Sequence, residues 1–405
     1  MKISRREALI ATGAIALGGT TAFALKPKPR TKVIAGSASD ALIARHVVIS
    51  GSQSEVGKQI AQLGASHRAK LGSLTNESAK ARRAWYQTYW PELSARAKGT
   101  CTELKKDYLS STVDVFSLSY NSDFAAGCSC SFYPPDRTES GHALLGRNYD
   151  FSTGTLADLV GQPERGKGQR GFTADPYLME IHPNGGYATL MMVAYDLLSG
   201  CIDGMNEHGL GVALLADDQA NDAPRSSGAA AGISEIEMPR FLLERCKTVE
   251  DAIVAVKDVP YYFTFIPCHY IVGDASGNSA VLEWGARDKK LRVVRGARKP
   301  QAVTNHLLSA FKEDQLPAGN SFDRYRTLKA GFAVPKLSEA QIIKTHQSVM
   351  PRGSGTPMEG PVGRTLWHSI YDLTARSMKI SFYLGESTEG DLNQRRTRYQ
   401  EFSLR

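Results

Sequence analysis

The chain has 405 residues, 42% of them hydrophobic and 22% charged, with a formal net charge of +8. That length admits a large core and two or three domains, and the balance is that of a soluble globular protein, with no apolar run past the leader long enough to cross a bilayer. The basic excess does not indicate nucleic acid: Lys2, Arg5, Arg6, Lys26, Lys28, Arg30 and Lys32 against Glu7 place +6 of it at the N-terminus, and the remainder is close to balanced.

The start, "MKISRREALIATGAIALGGTTAFA", has a charged head, an apolar middle and small residues at Ala22 and Ala24. It reads as an export signal, residues 1–24, removed after Ala24. Ser4-Arg5-Arg6 resembles a twin-arginine signal, so the expected location is the periplasm or outside the cell. No Cys sits at the end of the apolar run to carry a lipid anchor.

Residues 25–40 read as a linker, and residues 42 to 110 as mainly helical. Ser52 and Glu55 form a capping-box pair, with Val56, Ile60 and Leu63 following at helical spacing. Tyr86, Trp90 and Leu93 continue an apolar face. After Cys128 the texture changes to strands. "CSCSFY" and "HALLGRNYDF" flank the turn-rich "PPDRTESG". "YATLMMVAYD" and "CIDGMNEHGLGVALLAD" add strands, with Asp203 to Glu207 read as a structural turn between inner strands. Two helices follow, the second capped by Thr248 with Asp251. "YYFTFIPCHYIVGDASGNSAVLEW" and "KLRVVRG" are read as strands, residues 321 to 347 as helical, and "TLWHSIYDLTARSMKISFYLGE" as a closing hairpin. Helices first, then strands with a helix pair between them, many apolar on both faces, describe an α+β chain whose sheets are stacked and covered by helices.

Chemistry centres on Gly127-Cys128-Ser129-Cys130. A metal site lacks a second Cys pair or an H-x-x-x-H motif. A redox pair lacks the C-x-x-C spacing. A Cys/His hydrolase is open, with His142, His269 or His306 as base. Cys246 and Cys268 read as small buried hydrophobes. The remaining alternative is cleavage of the Gly127–Cys128 bond, which gives the thiol its own base, the new α-amino group with a pKa near ~7.7–8.0. Glycine at 127 removes the Cβ that would resist a strained backbone.

"GCS" with its hairpin and "LLGRNYDF", then "DGMNEHGLGVAL", "VTNH" and "SFDRYRTL" resemble, in that order, the N-terminal-nucleophile cysteine hydrolases. The nearest branch is the autoproteolytic penicillin acyltransferase family (acyl-coenzyme A:isopenicillin N acyltransferase). Bile-salt hydrolases and acid ceramidases are more distant. "GSQSEVGKQIAQLGASH" is similar to the opening of that family's α-chain, and the resemblance spans residues 48 to 385. It implies a four-layer αββα sandwich with a helical pro-region: linker and pro-region over 25–127, the α-chain after processing, and a catalytic β-chain over 128–405. It implies Cys128 as nucleophile, Arg147 near the thiolate, Asp150 at the amine, Asn305 in the oxyanion hole and Arg324 close by. Cys130 is the alternative nucleophile.

The implied activity is that of a self-processing cysteine amidase or acyltransferase on a small N-acyl amide, through an acyl-thioester. No metal or organic cofactor is implied, nor nucleic acid or stable membrane insertion; the partner is the chain's own other half after cleavage. The alternatives are an unprocessed Cys/His thiol hydrolase and a non-catalytic binding relative. "YYFTFIP" would line an acyl pocket or form a core strand. Two departures from the family pattern stand out. Ala216 occupies the place where bile-salt hydrolases carry a second oxyanion asparagine, so a backbone N–H would have to complete the hole. The Cys128-to-Asp150 hairpin is also longer than usual.

Overall fold

The computed structural model describes residues 28–120, 126–159, 161–166, 169–217, 231–257, 259–263, 266–285, 290–356 and 361–404. The export signal at 1–24, with its twin-arginine start, lies outside the described residues. Residues 25–40 were expected to be a linker, yet strand β1 (Arg30–Ala35) lies within them and pairs with β2 (Ala44–Gly51). The helices follow: α1 (Gln53–Ala65), α2 (Asn76–Tyr89) and α3 (Pro91–Leu104), with a small hairpin of β3 (Lys70–Ser73) and β4 (Val113–Ser119). The Ser52–Glu55 capping box is present, and Val56, Ile60 and Leu63 are buried. α1 and α3 press backbone against backbone. A Cβ on Gly57 would lie 1.9 Å from Arg96 O, and one on Gly99 1.9 Å from Ser54 O, so only glycine fits at either crossing.

Strands β5 (Ala126–Tyr133) and β6 (Leu144–Ser152) form the expected hairpin. The one-turn helix α4 (Leu156–Leu159) leads to β7 (Tyr177–Pro183), β8 (Thr189–Val193), β9 (Asp203–Asn206) and β10 (Leu210–Ala216). The helix pair α5 (Met238–Arg245) and α6 (Val249–Lys257) precedes β11 (Cys268–Asp274), β12 (Ser279–Trp284), β13 (Leu291–Arg295) and β14 (Gln301–Val303). The strand read from Tyr261 starts only at Cys268; Tyr261 makes an isolated bridge to Ile233. The region read as helical over 321–347 is two helices, α7 (Asn320–Gly331) and α8 (Glu339–Ser348). The chain ends in β15 (Gly363–Asp372), β16 (Ser377–Glu386), β17 (Gln394–Arg396) and β18 (Gln400–Ser403).

These strands build a nine-stranded sheet, β1-β2-β7-β8-β9-β10-β11-β12-β13, and a seven-stranded sheet, β14-β5-β6-β15-β16-β17 with β18 also on β16. Their inner faces share one apolar core: Cys128, Phe132, Leu145 and Tyr149 from one sheet meet Leu190, Met192, Leu215 and Ile271 from the other. The nine-stranded sheet buries its outer face under the first three helices, α5 and α6. The seven-stranded sheet is covered by α7 and α8. The result is the four-layer αββα sandwich, with apolar strand faces on both sides because both faces are covered.

Candidate active site

Alternation along β5 sends Cys128 and Cys130 to the inner core and Ser131 to the outer face, where its Oγ lies 2.6 Å from His346 Nε2. Gly146, beside it on β6, leaves room for that imidazole, since a Cβ there would come within 2.4 Å of His346 Nε2. The β5–β6 register sets Gly127 opposite Asp150, Cys128 opposite Tyr149 and Cys130 opposite Arg147.

Arg147 Nη2 donates to Cys128 Sγ at 2.9 Å and to Leu214 O at 2.7 Å, while Nη1 donates to Asn148 O at 2.7 Å. The Cys128 backbone N–H donates to Asn305 Oδ1 at 2.8 Å. Asn305 Oδ1 also accepts from Arg324 Nη2 at 2.7 Å, and Arg324 Nη1 donates to the Cys128 carbonyl. The Asn305 Nδ2 amide donates to Ala216 O at 2.8 Å. Two donors on Oδ1 and an acceptor on Nδ2 fix the orientation of this amide. Thus Arg147, Asn305 and Arg324, far apart in sequence, all contact Cys128.

Asp150 does not share that face. Arg147 and Asp150 are three residues apart on one strand, and the pleat sends them to opposite sides of the sheet. Asp150 Oδ1 accepts from Thr365 Oγ1 at 2.5 Å, and Oδ2 lies 3.7 Å from Arg324 Nη1. In the uncut chain the Cys128 N–H is held by Asn305, and Asp150 reaches Cys128 through Arg324. Beside Asp150 and Arg324 opens a cavity of about 670 Å³, with Phe151, Val349, Met350 and Pro351 as apolar wall and Asn320 and Asp323 at the polar end.

Burial pushes the Cys128 thiol up on balance; the Arg147 guanidinium favours the thiolate, by charge and by its hydrogen bond, but only partly opposes that rise. Burial also raises the Asp150 carboxyl against Arg324 and Thr365. Cys130 is pushed further up, again by burial, although Arg147 faces it too. Residues two apart on one face of a strand are roughly 7 Å apart at Cβ, whereas a disulfide needs about 3.5–4.5 Å. Cys128 and Cys130 are therefore not placed for a redox pair. The bonds of His142, His269 and His306 run to Asp372, to Thr304, and to Thr304 with Ser321, not to either thiol. Burial holds His269 and His306 neutral, each down to about 4. Among the described residues, no group of three or more His, Cys, Asp or Glu could hold a metal ion.

The turn expected over Asp203 to Glu207 begins only at Glu207, because Asp203–Asn206 form β9. Asp203 is no turn residue; it opens β9, fully buried, with Oδ2 lying 3.7 Å from Arg147 Nε. Its Oδ2 accepts from Trp367 Nε1 at 3.1 Å and its Oδ1 from the Tyr371 hydroxyl. "DGMNEHG" carries so many turn formers that its one sign of burial, an acid directly after the apolar Ile202, was submerged.

Two stacked sheets between helical layers, with a cysteine on an inner strand contacted by arginine and asparagine, define the N-terminal-nucleophile class of sandwich. A sequence model described as "Acyl-coenzyme A:6-aminopenicillanic acid acyl-transferase" matches residues 137–387, more than half the chain. The chain belongs to that family. It is also 34% identical over 89 residues to an uncharacterized protein of Paramecium bursaria Chlorella virus 1, covering 20% of this chain and 32% of that one; the match spans about a third of that relative. Among solved structures, the penicillin V acylase of Agrobacterium tumefaciens is 19% identical, with TM-score 0.42 over 63% of this chain and 83% of its own. A mutant conjugated bile acid hydrolase of Clostridium perfringens is 18% identical, with TM-score 0.44 over 67% and 97%. The Caenorhabditis elegans ortholog of N-acylethanolamine-hydrolyzing acid amidase is 16% identical, with TM-score 0.38 over 61% and 93%.

Proposed function

We propose that this protein is an exported, self-processing cysteine amidase or acyltransferase. It acts on the linear C–N amide of a small N-acyl compound, with Cys128 as nucleophile. The observation that carries this reading is the joint hold on Cys128: Arg147 on Sγ, Asn305 Oδ1 on the backbone N–H and Arg324 on the carbonyl. Such polar groups around one buried thiol have no use in a packed core, where an apolar contact would serve.

The first turnover is on the chain itself. Cys128 Sγ attacks the Gly127 carbonyl carbon; the S–C bond forms, the Gly127–Cys128 C–N bond breaks, and the thiol proton ends on the new amine. Water then hydrolyses the thioester, leaving a Gly127 carboxylate, a free thiol and an α-amino group. Cys128 is fully buried in the uncut chain, so substrate access follows cleavage. The amine then takes the thiol proton as Sγ attacks an acyl carbonyl, and returns it to the leaving amine. Water or a second amine resolves the acyl-thioester. The Asn305 amide has a second N–H beside the one on Ala216 O; that hydrogen is the donor for the developing oxyanion. Asp150, opposite Gly127, becomes available to the new ammonium once the pro-segment end withdraws.

The test is the intact mass of the purified protein. The expected result is two chains, one beginning at Cys128, with Cys128→Ala remaining a single inactive chain. A wild type that stays uncut while hydrolysing N-acyl amides would falsify the N-terminal-amine mechanism. A start at Cys130 would move the nucleophile by one strand repeat.

A further inference from the structure

Arg147 is fully buried between the two sheets. Burial alone would push its guanidinium down; the facing Cys128 and Cys130 thiols and Asp203 carry it above its ordinary value. A guanidinium so far from water needs a counter-charge, because an uncompensated buried charge costs several kcal/mol. Three groups can answer it: Cys128 Sγ at 2.9 Å on the Nη2 side, Asp203 Oδ2 at 3.7 Å on the Nε side, and the Cys130 thiol, which burial raises further than Cys128. The Nε hydrogen makes no hydrogen bond, so the carboxylate acts here by charge rather than by a short contact. Asp203 itself cannot drift: Trp367 Nε1 and the Tyr371 hydroxyl, both from β15, hold its two oxygens. Nor can Arg147, whose Nη atoms are tied to Asn148 O and Leu214 O.

We infer that Asp203 is a positioning residue that acts on the nucleophile through Arg147, sharing the guanidinium's charge with the Cys128 sulfur. While Asp203 is ionised, Arg147 is already answered and Cys128 stays a neutral thiol, the state a buried site prefers. Without that carboxylate, a thiolate at Cys128 is the nearest group able to answer the guanidinium. The inference rests on the reading of Cys128 as nucleophile.

Other ionisable groups face Arg147 and the Cys128 sulfur. From the seven-stranded sheet they are Cys130, Tyr149, whose ring the Arg147 guanidinium overlies at 5.4 Å, and, across the sheet, Asp150; from the facing sheet, Cys268 and His269; from the segment after β8, Tyr195; from α7, Arg324; from α8, His346. Beside Asp203 lie Cys201 and Tyr371. Burial keeps His269 and His346 neutral, down to about 4 and about 3, and raises the remaining thiols and Tyr371.

The experiment is a pH titration of thiolate ultraviolet absorbance on the purified full-length product. Each variant is read as the difference from the same sample after Cys128 has been alkylated with iodoacetamide, which leaves the cleavage state unchanged and cancels tyrosine and the other, buried thiols. Asp203→Asn should move the Cys128 midpoint down by about one pH unit or more, the size of shift a neighbouring opposite charge produces. Burial already raises the Asp203 carboxyl, and Tyr371→Phe removes one of the donors that oppose this. The carboxyl then moves toward its neutral form and answers Arg147 less, so the midpoint should fall, in the same direction as in Asp203→Asn but by less. An unchanged or raised midpoint in folded Asp203→Asn overturns the inference. If Asp203→Asn does not fold, Tyr371→Phe decides alone, and an unshifted or raised midpoint there overturns it. A merely structural Asp203 would change melting and leave both midpoints in place. The readout needs no turnover, so it stands apart from the activity of Cys128→Ala, which tests the nucleophile itself.

Discussion

Asn305 uses both ends of its side-chain amide: Oδ1 on the Cys128 N–H and Arg324, Nδ2 on Ala216 O. Replacing it by alanine leaves a buried N–H and one Arg324 hydrogen without acceptors, and takes away the proposed oxyanion donor. Loss of one such donor typically lowers kcat by roughly 10²–10³, or about 2.7–4 kcal/mol. KM should move little, because the oxygen it meets is only partly charged in the ground state. Asn305→Ala should therefore cleave itself slowly and turn over slowly, yet still bind a model N-acyl amide. Asn305→Asp should be worse, adding negative charge where more must develop. Melting and kinetics on the same samples check this; a well-folded Asn305→Ala with unchanged kcat would remove the residue from the mechanism. The sequence pointed to Asn305 and Arg324 through short motifs, and both meet Cys128. It pointed to Asp150 as well, but a motif does not say which face of a pleated strand a residue takes. Asp203 escaped for a related reason: its partner, Arg147, comes from the other sheet, and nothing local to "DGMNEHG" reports that.

Strand-level reading succeeded where a single period governed and failed where pairing came from a distance. The β5–β6 hairpin, the Ser52 cap and the closing β15–β16 pair were all legible. β1 was not, because its six residues, four of them exposed, have little apolar pattern and owe their strand form to pairing with β2. The β15–β16 pair also carries a testable charge pair. Arg364 Nε and Nη2 bind the two oxygens of Glu386 at 2.8 and 3.1 Å, and Tyr383 and the Ser354 N–H add further donors. The Arg364 bond, foremost, holds the Glu386 carboxyl down to about 2, against an ordinary 4.5. The folded state thus keeps it ionised at pH values where the unfolded chain has protonated it. Its stabilisation is full above about 4.5 and fades as pH falls toward about 2. Glu386→Gln should accordingly be less stable than wild type at neutral pH by chemical denaturation, with the gap narrowing below about pH 4.5. A gap of equal size at neutral and acid pH would mean that the charge contributes nothing.

At the scale of the whole molecule, the proposed cut at Gly127–Cys128 would not release a separate domain. The segment before it supplies β1 and β2 to the edge of the nine-stranded sheet, with β2 parallel to β7 over seven paired residues. Its helices bury Val56, Ile60, Tyr86, Trp90 and Leu93 in the same core as Phe241, Leu242 and Leu214. Buried polar bonds cross the same boundary: Arg96 and Trp90 both reach Glu244, at 2.7 and 3.0 Å, and Arg82 and Tyr86 reach Glu237, at 3.1 and 2.8 Å. Burial alone would raise Glu244; Arg96 and Arg240 hold it below its ordinary value, so the carboxylate is ionised and depends on Arg96 from the first segment. Removing that segment would bare an apolar sheet face and leave Glu244 with Arg240 alone at the opened face. Breaking one side of a buried pair costs about 3–5 kcal/mol, comparable to the roughly 5–15 kcal/mol that holds a typical domain together. The two chains should therefore co-elute after cleavage, in high salt as in low, because the contacts are buried and little screened. Residues 128–405 expressed alone should be insoluble or unfolded by circular dichroism. Arg96→Ala in the full chain should lower the melting temperature without changing the mass pattern of the chains that do mature. A stable, active 128–405 fragment would show that the first segment is only a removable cover, and the core shared by α1, α2, α3 and the nine-stranded sheet would then have no structural necessity.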